Sequence, residues 1–381
     1  MEEKIKYKEV EEKKKNKYIP IVVLCVFGAF FLGCFITLMT SHIVKRITTD
    51  EKVVKTTVKE ESDLKNAIKK VYNSTVYIEV EAEQQSFFGT NTVQGSGSGF
   101  VYKKDDKNGY IITNHHVISG AKKITVTYIN GTEVEASLVG SDEYADIAIL
   151  KVDAKTIQDV AELGSSSEAE LGDSIFTIGA PLGKEYMGSV TKGILSGKNR
   201  MVRVELSSGS YLMEAIQIDA AINSGNSGGA LCNIKGQVIG VTSSKLVGDG
   251  VESMGFAIPI DTVNSIISDL ESGKKIERPY VGVQVADINT SFGLQYYSNI
   301  KIGSDVKFGA IIGYIESGKP ADKAGLKVGD VVVSMDGEKI EDSSHFRYNL
   351  YKHRVGDKIK IKYYRENKME ETTISLTEAI K

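Results

Sequence analysis

Residues 225–229 read Gly-Asn-Ser-Gly-Gly, and Ser227 at their centre is a candidate nucleophile. A serine hydroxyl attacks a carbonyl only when a base takes its proton and donors receive the oxyanion that forms. Small residues on both sides let the backbone turn tightly and aim consecutive N–H groups into one pocket. Glycine beside serine is also ordinary turn chemistry, so the pentapeptide gains weight only from partners elsewhere. Two of the chain's five histidines are adjacent, His115 and His116, after a strand-like run. Asp146 directly precedes the apolar run Ile147-Ala148-Ile149-Leu150. Alone, the aspartate reads equally well as a turn cap, and a single histidine more often packs or hydrogen-bonds than catalyses. An imidazole, with its ordinary pKa of about 6.5, is the side chain suited to shuttle a serine proton near neutral pH.

The elements that must position these residues are mostly strands. Runs at 76–80, 110–113, 124–129 and 238–242 predict strands, with turns at Asn130-Gly131 and Lys235-Gly236. Leu64, Ala67, Ile68 and Val71 fall at helical spacing and predict a short helix over 63–76. Residues 260–270 predict a helix that closes a first domain spanning 63–275, and 272–279 a polar linker. A second domain spans 280–378, with strands predicted at 281–285, 309–315, 331–335 and 359–364 and helices at 321–325 and 343–355. Residues 287–308, containing Phe292, Tyr296 and Tyr297, form an insertion-like segment without an assigned role.

Composition narrows the chemistry. At 381 residues the chain has room for two domains and appendages. Lys+Arg is 47 against Asp+Glu 50, so the net charge of −3 gives no electrostatic reason to expect nucleic acid. Glycine is abundant at 37 and proline scarce at 5, which fits many short strands better than a helical bundle. No Walker-type loop is present, and nucleotide use is not indicated. Of the three cysteines, Cys25 and Cys34 lie in an apolar run and Cys232 stands alone. Neither a disulfide framework nor metal-ligand spacing appears, so no cofactor and no metal is expected.

From residue 18 to 41 no charged side chain occurs. At helical rise that run spans about 36 Å, more than the roughly 30 Å of bilayer hydrocarbon. It exits through Ser41-His42-Ile43-Val44-Lys45-Arg46, without a small-residue cleavage site, which predicts a transmembrane helix rather than a removed signal peptide. Lys13, Lys14, Lys15 and Lys17 precede it, against Lys45 and Arg46 after it. This bias makes 1–17 a cytoplasmic tail and puts everything beyond the span outside the cytoplasm. Residues 42–62, rich in Lys, Glu and Thr, are expected to form a solvated stalk. An exported protein without disulfides suggests a bacterial surface.

The motif contexts are similar to those of the chymotrypsin-like serine proteases, and more closely to the HtrA (high-temperature-requirement A, or Deg) family. The resemblance rests on GSGSGF at 95–100, GYIITNHHV at 109–117, DIAILKV at 146–152, IGAPLG at 178–183 and DAAINSGNSGGAL at 219–231. It continues through GFAIPI at 255–260, RPYVGV at 278–283 and ADKAGLKVGDVVVSMDG at 321–337, covering residues 64 to 378 in order. It implies a mostly β fold: two six-stranded barrels forming the protease, then one α+β PDZ domain. It also implies Ser227 as nucleophile, His116 as general base and Asp146 as the residue orienting the imidazole. The backbone N–H groups of Gly225, Asn226 and Ser227 would form the oxyanion hole. Tyr280, Val281, Gly282 and Val283 would form the loop that takes a peptide carboxylate at the PDZ domain. His345, Tyr348 or Asn349 on the following helix would face that peptide. The family also implies a homotrimer, with residues 84–94 as a loop contacting neighbouring subunits.

This chain departs from the family pattern at two positions. His115 stands where asparagine is usual; His116 is taken as the base because it directly precedes Val117. Ser224 replaces a frequent proline, which predicts an oxyanion loop with less restraint, disordered or misformed at rest and set by ligand or neighbour contacts. Walls of the primary pocket are expected from 222–226 and 241–243; with no aspartate there, a small or medium apolar residue before the cleaved bond is expected. Two functional classes follow. One is an ATP-independent endopeptidase acting on misfolded or exposed proteins; the other is a catalytically silent module holding partners through its PDZ domain. The presence of all three triad residues favours the first.

Overall fold

The computed structural model describes residues 18–49, 59–86, 89–206, 209–246, 254–288 and 306–380. The chain divides into two units, residues 1–58 and 59–381. In the first, helix α1 (Ile19–Thr49) carries the apolar stretch Pro20–Ser41, 22 residues of mean hydropathy 2.8 with none of it buried. Length and composition suffice to cross a bilayer. The expected tail at 1–17 lies outside the described residues. The stalk is corrected in part: 42–49 continue α1, and 59–62 begin α2 (Lys59–Tyr72). Lys and Glu are strong helix formers, so a charged composition does not by itself end a helix. Residues 50–58 of the expected stalk lie outside the described residues.

In the second unit, α2 lays Ala67 and Val71 into the core with Leu64 and Ile68 beside them, the positions its spacing picks out. Strands β1 (Thr75–Ser86), β2 (Gly89–Lys104), β3 (Asn108–Thr113), β4 (Ala121–Tyr128), β5 (Glu133–Asp142) and β6 (Ile147–Asp153) follow, with the one-turn helix α3 (His115–Ile118) after β3. They close into a barrel in the order β1-β2-β3-β6-β5-β4. Alternation along the strands sends Val76, Ile78, Val101, Ile111, Val126 and Leu150 inward. The expected loop at 84–94 is instead the end of a long hairpin, in which β1 pairs with β2 out to Ser86 opposite Gly89. The ladder supplies a pairing that the composition of this segment does not announce. Residues 87–88 lie outside the described residues.

Strands β7 (Glu162–Leu163), β8 (Ser174–Gly179), β9 (Ser189–Leu206), β10 (Gly209–Ile218), β11 (Ala230–Asn233), β12 (Gln237–Thr242) and β13 (Gly255–Pro259) form the next sheet. Its order is β11-β8-β9-β10-β13-β12-β7, and β11 also pairs with β12, so all but β7 join in a ring. Cys232 on β11 is fully buried, and burial pushes its thiol pKa upward. Helix α4 (Ile260–Glu271) closes this part, burying Ile260, Val263, Ile266 and Leu270.

The last sheet comprises β14 (Val283–Asp287), β15 (Ala310–Ile315), β16 (Val331–Met335), β17 (Glu338–Lys339), β18 (Lys358–Arg365) and β19 (Lys368–Ser375). The path runs β14-β15-β16-β18-β19, with β17 paired to β16. Helices α5 (Pro320–Lys323) and α6 (Ser343–Tyr351) accompany it. Asp342 caps α6 by accepting the His345 N–H. Most of the segment expected at 287–308, including Phe292, Tyr296 and Tyr297, lies outside the described residues.

Candidate active site

His116, Asp146 and Ser227 come from three separate places: the turn α3 after β3, the residue before β6, and the loop before β11. Asp146 is 1 % exposed and has left-handed backbone at φ 53°. The turn leading to it is braced by Asp142, whose carboxylate accepts the Ala145 N–H at 2.8 Å. From the other side, the Asp146 carbonyl accepts the Asn114 side-chain amide at 2.9 Å and the His115 N–H at 3.1 Å. Its carboxylate accepts the His116 N–H at 2.9 Å, His116 Nδ1 at 2.7 and 3.0 Å, and the Ser243 hydroxyl at 3.3 Å. With Nδ1 donating to a carboxylate, Nε2 is left as the ring's acceptor. The His115 ring points elsewhere, to Ser141 Oγ at 3.1 Å.

Ser227 is 2 % exposed and lies between two glycines of positive φ, Gly225 at 97° and Gly228 at 86°. Side chains are excluded at both: a Cβ at Gly225 would collide with the Ala180 carbonyl, and one at Gly228 with the Ser98 carbonyl. Ser98 ties the loop down, its N–H donating to the Ser227 carbonyl at 2.8 Å and its hydroxyl to the Gly225 carbonyl at 2.7 Å. Thr242 Oγ1 donates to the Asn226 carbonyl at 2.6 Å, and the Leu182 N–H to the Ser224 carbonyl at 2.9 Å. These bonds connect the loop to its neighbours despite the serine at 224. The Asn226 N–H donates to the Asn223 carbonyl at 3.0 Å, which removes it from the three amides expected to line an oxyanion hole. Among the described residues, the N–H groups of Gly225 and Ser227 have no acceptor.

The structure therefore joins His116 to Asp146 directly, whereas no hydrogen bond among the described residues joins Ser227 to His116. The Ser227 hydroxyl instead meets Ser244, accepting its N–H at 2.9 Å and sharing a hydrogen bond with its Oγ at 2.7 Å. Ser98 and Ser244 carry no expectation from the sequence, and Ser243 only one as a pocket wall; the only sign of Ser98 was the GSGSGF string. Of the expected pocket walls, Val241 is buried in the core, while Thr242 and Ser243 hydrogen-bond to the loop and to Asp146.

At the second domain, Tyr280 N–H donates to the Glu378 carbonyl at 2.8 Å and Val281 is buried in the core. Gly282 has φ 78°, with a Cβ excluded by Lys319. Among the described residues the Val281 and Gly282 N–H groups have no acceptor, and β14, which begins at Val283, is an edge strand. On α6 two of the three expected contacts are corrected. Tyr348 donates its hydroxyl to Glu214 of β10 at 3.0 Å, and the Asn349 side chain is buried, donating to the His345 carbonyl at 3.0 Å. His345 meets Asp342 at 3.1 Å. Helix α6 packs on β10, so one of its faces serves the interdomain contact, a relation its own sequence does not announce. A cavity of about 730 Å³ opens at this junction between Tyr144, Tyr211, Arg278 and Tyr351, away from Ser227.

Comparison with known proteins agrees with both halves. A trypsin-like peptidase domain matches residues 97–241 and a PDZ domain matches 279–376. The chain is 38 % identical over 354 residues to the serine protease Do-like HtrA of Lactococcus lactis subsp. cremoris, covering 87 % of each. It is 40 % identical over 306 residues to the serine protease Do-like HtrB of Bacillus subtilis, covering 78 % of this chain and 67 % of that one. Among solved structures, the HtrA-type protease AlgW with a decapeptide matches with a TM-score of 0.63 at 28 % identity, covering 82 % of this chain and 97 % of that one. The serine endoprotease from Yersinia pestis matches with a TM-score of 0.59 at 27 % identity, covering 84 % and 98 %.

Proposed function

The chain belongs to the HtrA family of Do-like serine proteases, and on that premise we propose that it is a membrane-anchored, ATP-independent endopeptidase working through Ser227, His116 and Asp146. The observation that carries this reading is the buried Asp146 carboxylate, bonded to His116 Nδ1 at 2.7 Å beside a loop with two amides that have no acceptor among the described residues. His116 Nε2 takes the proton of Ser227 as Oγ attacks the peptide carbonyl. Asp146 keeps the imidazole in the tautomer that leaves Nε2 basic and stabilises the imidazolium. The Gly225 and Ser227 N–H groups receive the oxyanion, with Asn226 contributing only to the loop's shape. His116 then protonates the leaving amine, and water releases the acyl group by the same steps in reverse.

Substrates are misfolded or exposed proteins. The position of β14 at the end of its sheet, and the Val281 and Gly282 N–H groups without an acceptor among the described residues, support binding of an extended peptide C-terminus by strand addition. Helix α1 serves as a single-pass anchor with residues 1–17 in the cytoplasm and both domains outside it. Assembly is a homotrimer, as the family resemblance implies. The purified full chain in detergent micelles is expected to hydrolyse casein without ATP, and Ser227→Ala to abolish hydrolysis while retaining the wild-type circular dichroism spectrum. Residual hydrolysis by Ser227→Ala would reject this assignment. A folded wild type that binds peptides but cleaves nothing would favour the silent module.

A further inference from the structure

We propose that Ser244 is a positioning residue for acyl transfer, holding the Ser227 hydroxyl out of line with His116 in the resting enzyme. This rests on the reading of Ser227 as nucleophile.

A hydroxyl has one proton to donate and two lone pairs. In the structure the Ser244 N–H occupies one lone pair of Ser227 Oγ at 2.9 Å. The 2.7 Å contact with Ser244 Oγ takes either the proton or the second lone pair. Attack needs that proton directed at His116 Nε2 and a lone pair directed at a carbonyl carbon. Ser244 thus competes with the base and the substrate for the same oxygen.

The competitor is held in place from both sides. Ser243, the preceding residue, donates its hydroxyl to Asp146 at 3.3 Å and its N–H to the Phe256 carbonyl at 3.1 Å. Leu246, two residues later, is buried at the end of the short turn Ser244–Leu246. His116 is already fixed by Asp146. The missing step is therefore at the Ser227 hydroxyl, which must leave Ser244 and direct its proton to His116 Nε2 before it can be deprotonated. Two consecutive serines divide the work: Ser243 bonds the acid, and Ser244 bonds the nucleophile.

The test is the inactivation rate of the full chain in detergent micelles with a fluorophosphonate probe. In that reaction the Ser227 Oγ–P bond forms, fluoride leaves with its electron pair, and the serine proton passes to His116. Ser244→Ala removes one of the two competing bonds. It is expected to raise the first-order inactivation constant about 3- to 10-fold, the equivalent of one hydrogen bond, with the probe's half-saturating concentration unchanged. Ser244→Thr keeps the hydroxyl and the N–H and should restore the wild-type constant. An unchanged or slower constant for Ser244→Ala, or a Ser244→Thr enzyme as fast as Ser244→Ala, would overturn the proposal. Ser227→Ala is run alongside; labelling of that variant would instead reject the nucleophile itself, and the proposal with it.

Discussion

Arg278 and Asp142 form an ion pair with only 14 % and 6 % of their side chains exposed, and the same Asp142 oxygen receives the Ala145 N–H one residue before Asp146. The guanidinium also lies 5.6 Å from the centre of the Tyr144 ring. The residue that opens the RPYVGV motif thus fastens the linker to the turn carrying the candidate catalytic acid. Removing one member of such a pair strands a buried charge. Arg278→Met is expected to cost about 3–5 kcal/mol of stability. Combined with Asp142→Asn, the loss should shrink, because both charges are then gone. Urea denaturation of the single and double variants measures the difference; equal losses would show that the pairing contributes little.

Gly225 tests the oxyanion assignment. Its φ of 97° is strained for any residue with a Cβ, and the Cβ would also press on the Ala180 carbonyl. Gly225→Ala should turn this peptide and withdraw one of two donors. The expected loss is about 10²–10³-fold in kcat, the size found when one oxyanion donor is removed. Casein or peptide turnover reads it, with thermal melting as the check on folding. Retention of more than a tenth of wild-type kcat would argue that the amide at 225 plays no part.

Alkaline pH gives a third test. Burial pushes the Tyr211 hydroxyl up to about 12, against about 10 for an exposed tyrosine. The folded state therefore holds this proton more tightly than the unfolded chain does. The associated stability is fully present below about pH 10 and is lost as pH rises towards 12, amounting to on the order of 2–3 kcal/mol. Tyr348 and Tyr351 shift in the same direction, burial being the largest cause for each. Melting temperature should fall steeply over this range, and Tyr211→Phe should flatten the fall by about one proton's worth of slope. A Tyr211→Phe profile parallel to wild type would contradict the burial argument.

Much of this arrangement was legible in the chain. Strand β16 falls on the predicted 331–335, because Val331, Val332 and Val333 are β-branched and bounded by Gly329 and Gly337. The spacing of Leu64, Ala67, Ile68 and Val71 marks the buried face of α2. His116, Asp146 and Ser227 are singled out through their small, apolar or turn-forming neighbours; the structure bonds the first two to each other and Ser227 to Ser244. What stayed hidden depends on contacts between segments far apart in sequence. Ser98 braces a loop more than 100 residues away, with a separation of 127. Tyr348 hydrogen-bonds Glu214 across 134 residues, so its helix gives no local sign of which face is taken. The hairpin reaching Ser86 and Gly89 is written in its ladder more than in its side chains.

Cys232, buried in β11, is the only thiol of the second unit. Covalent cross-linking therefore contributes nothing to the protease, which must reach its fold by packing and backbone pairing alone. An oxidising exterior and a reducing cytoplasm would give the same folded product, and maturation after export would require no disulfide catalyst. The sealed thiol also leaves alkylating reagents nothing to react with in the second unit, so cysteine-directed reagents should act on the exposed Cys25 and Cys34 of α1 and leave Ser227 to serine-directed ones.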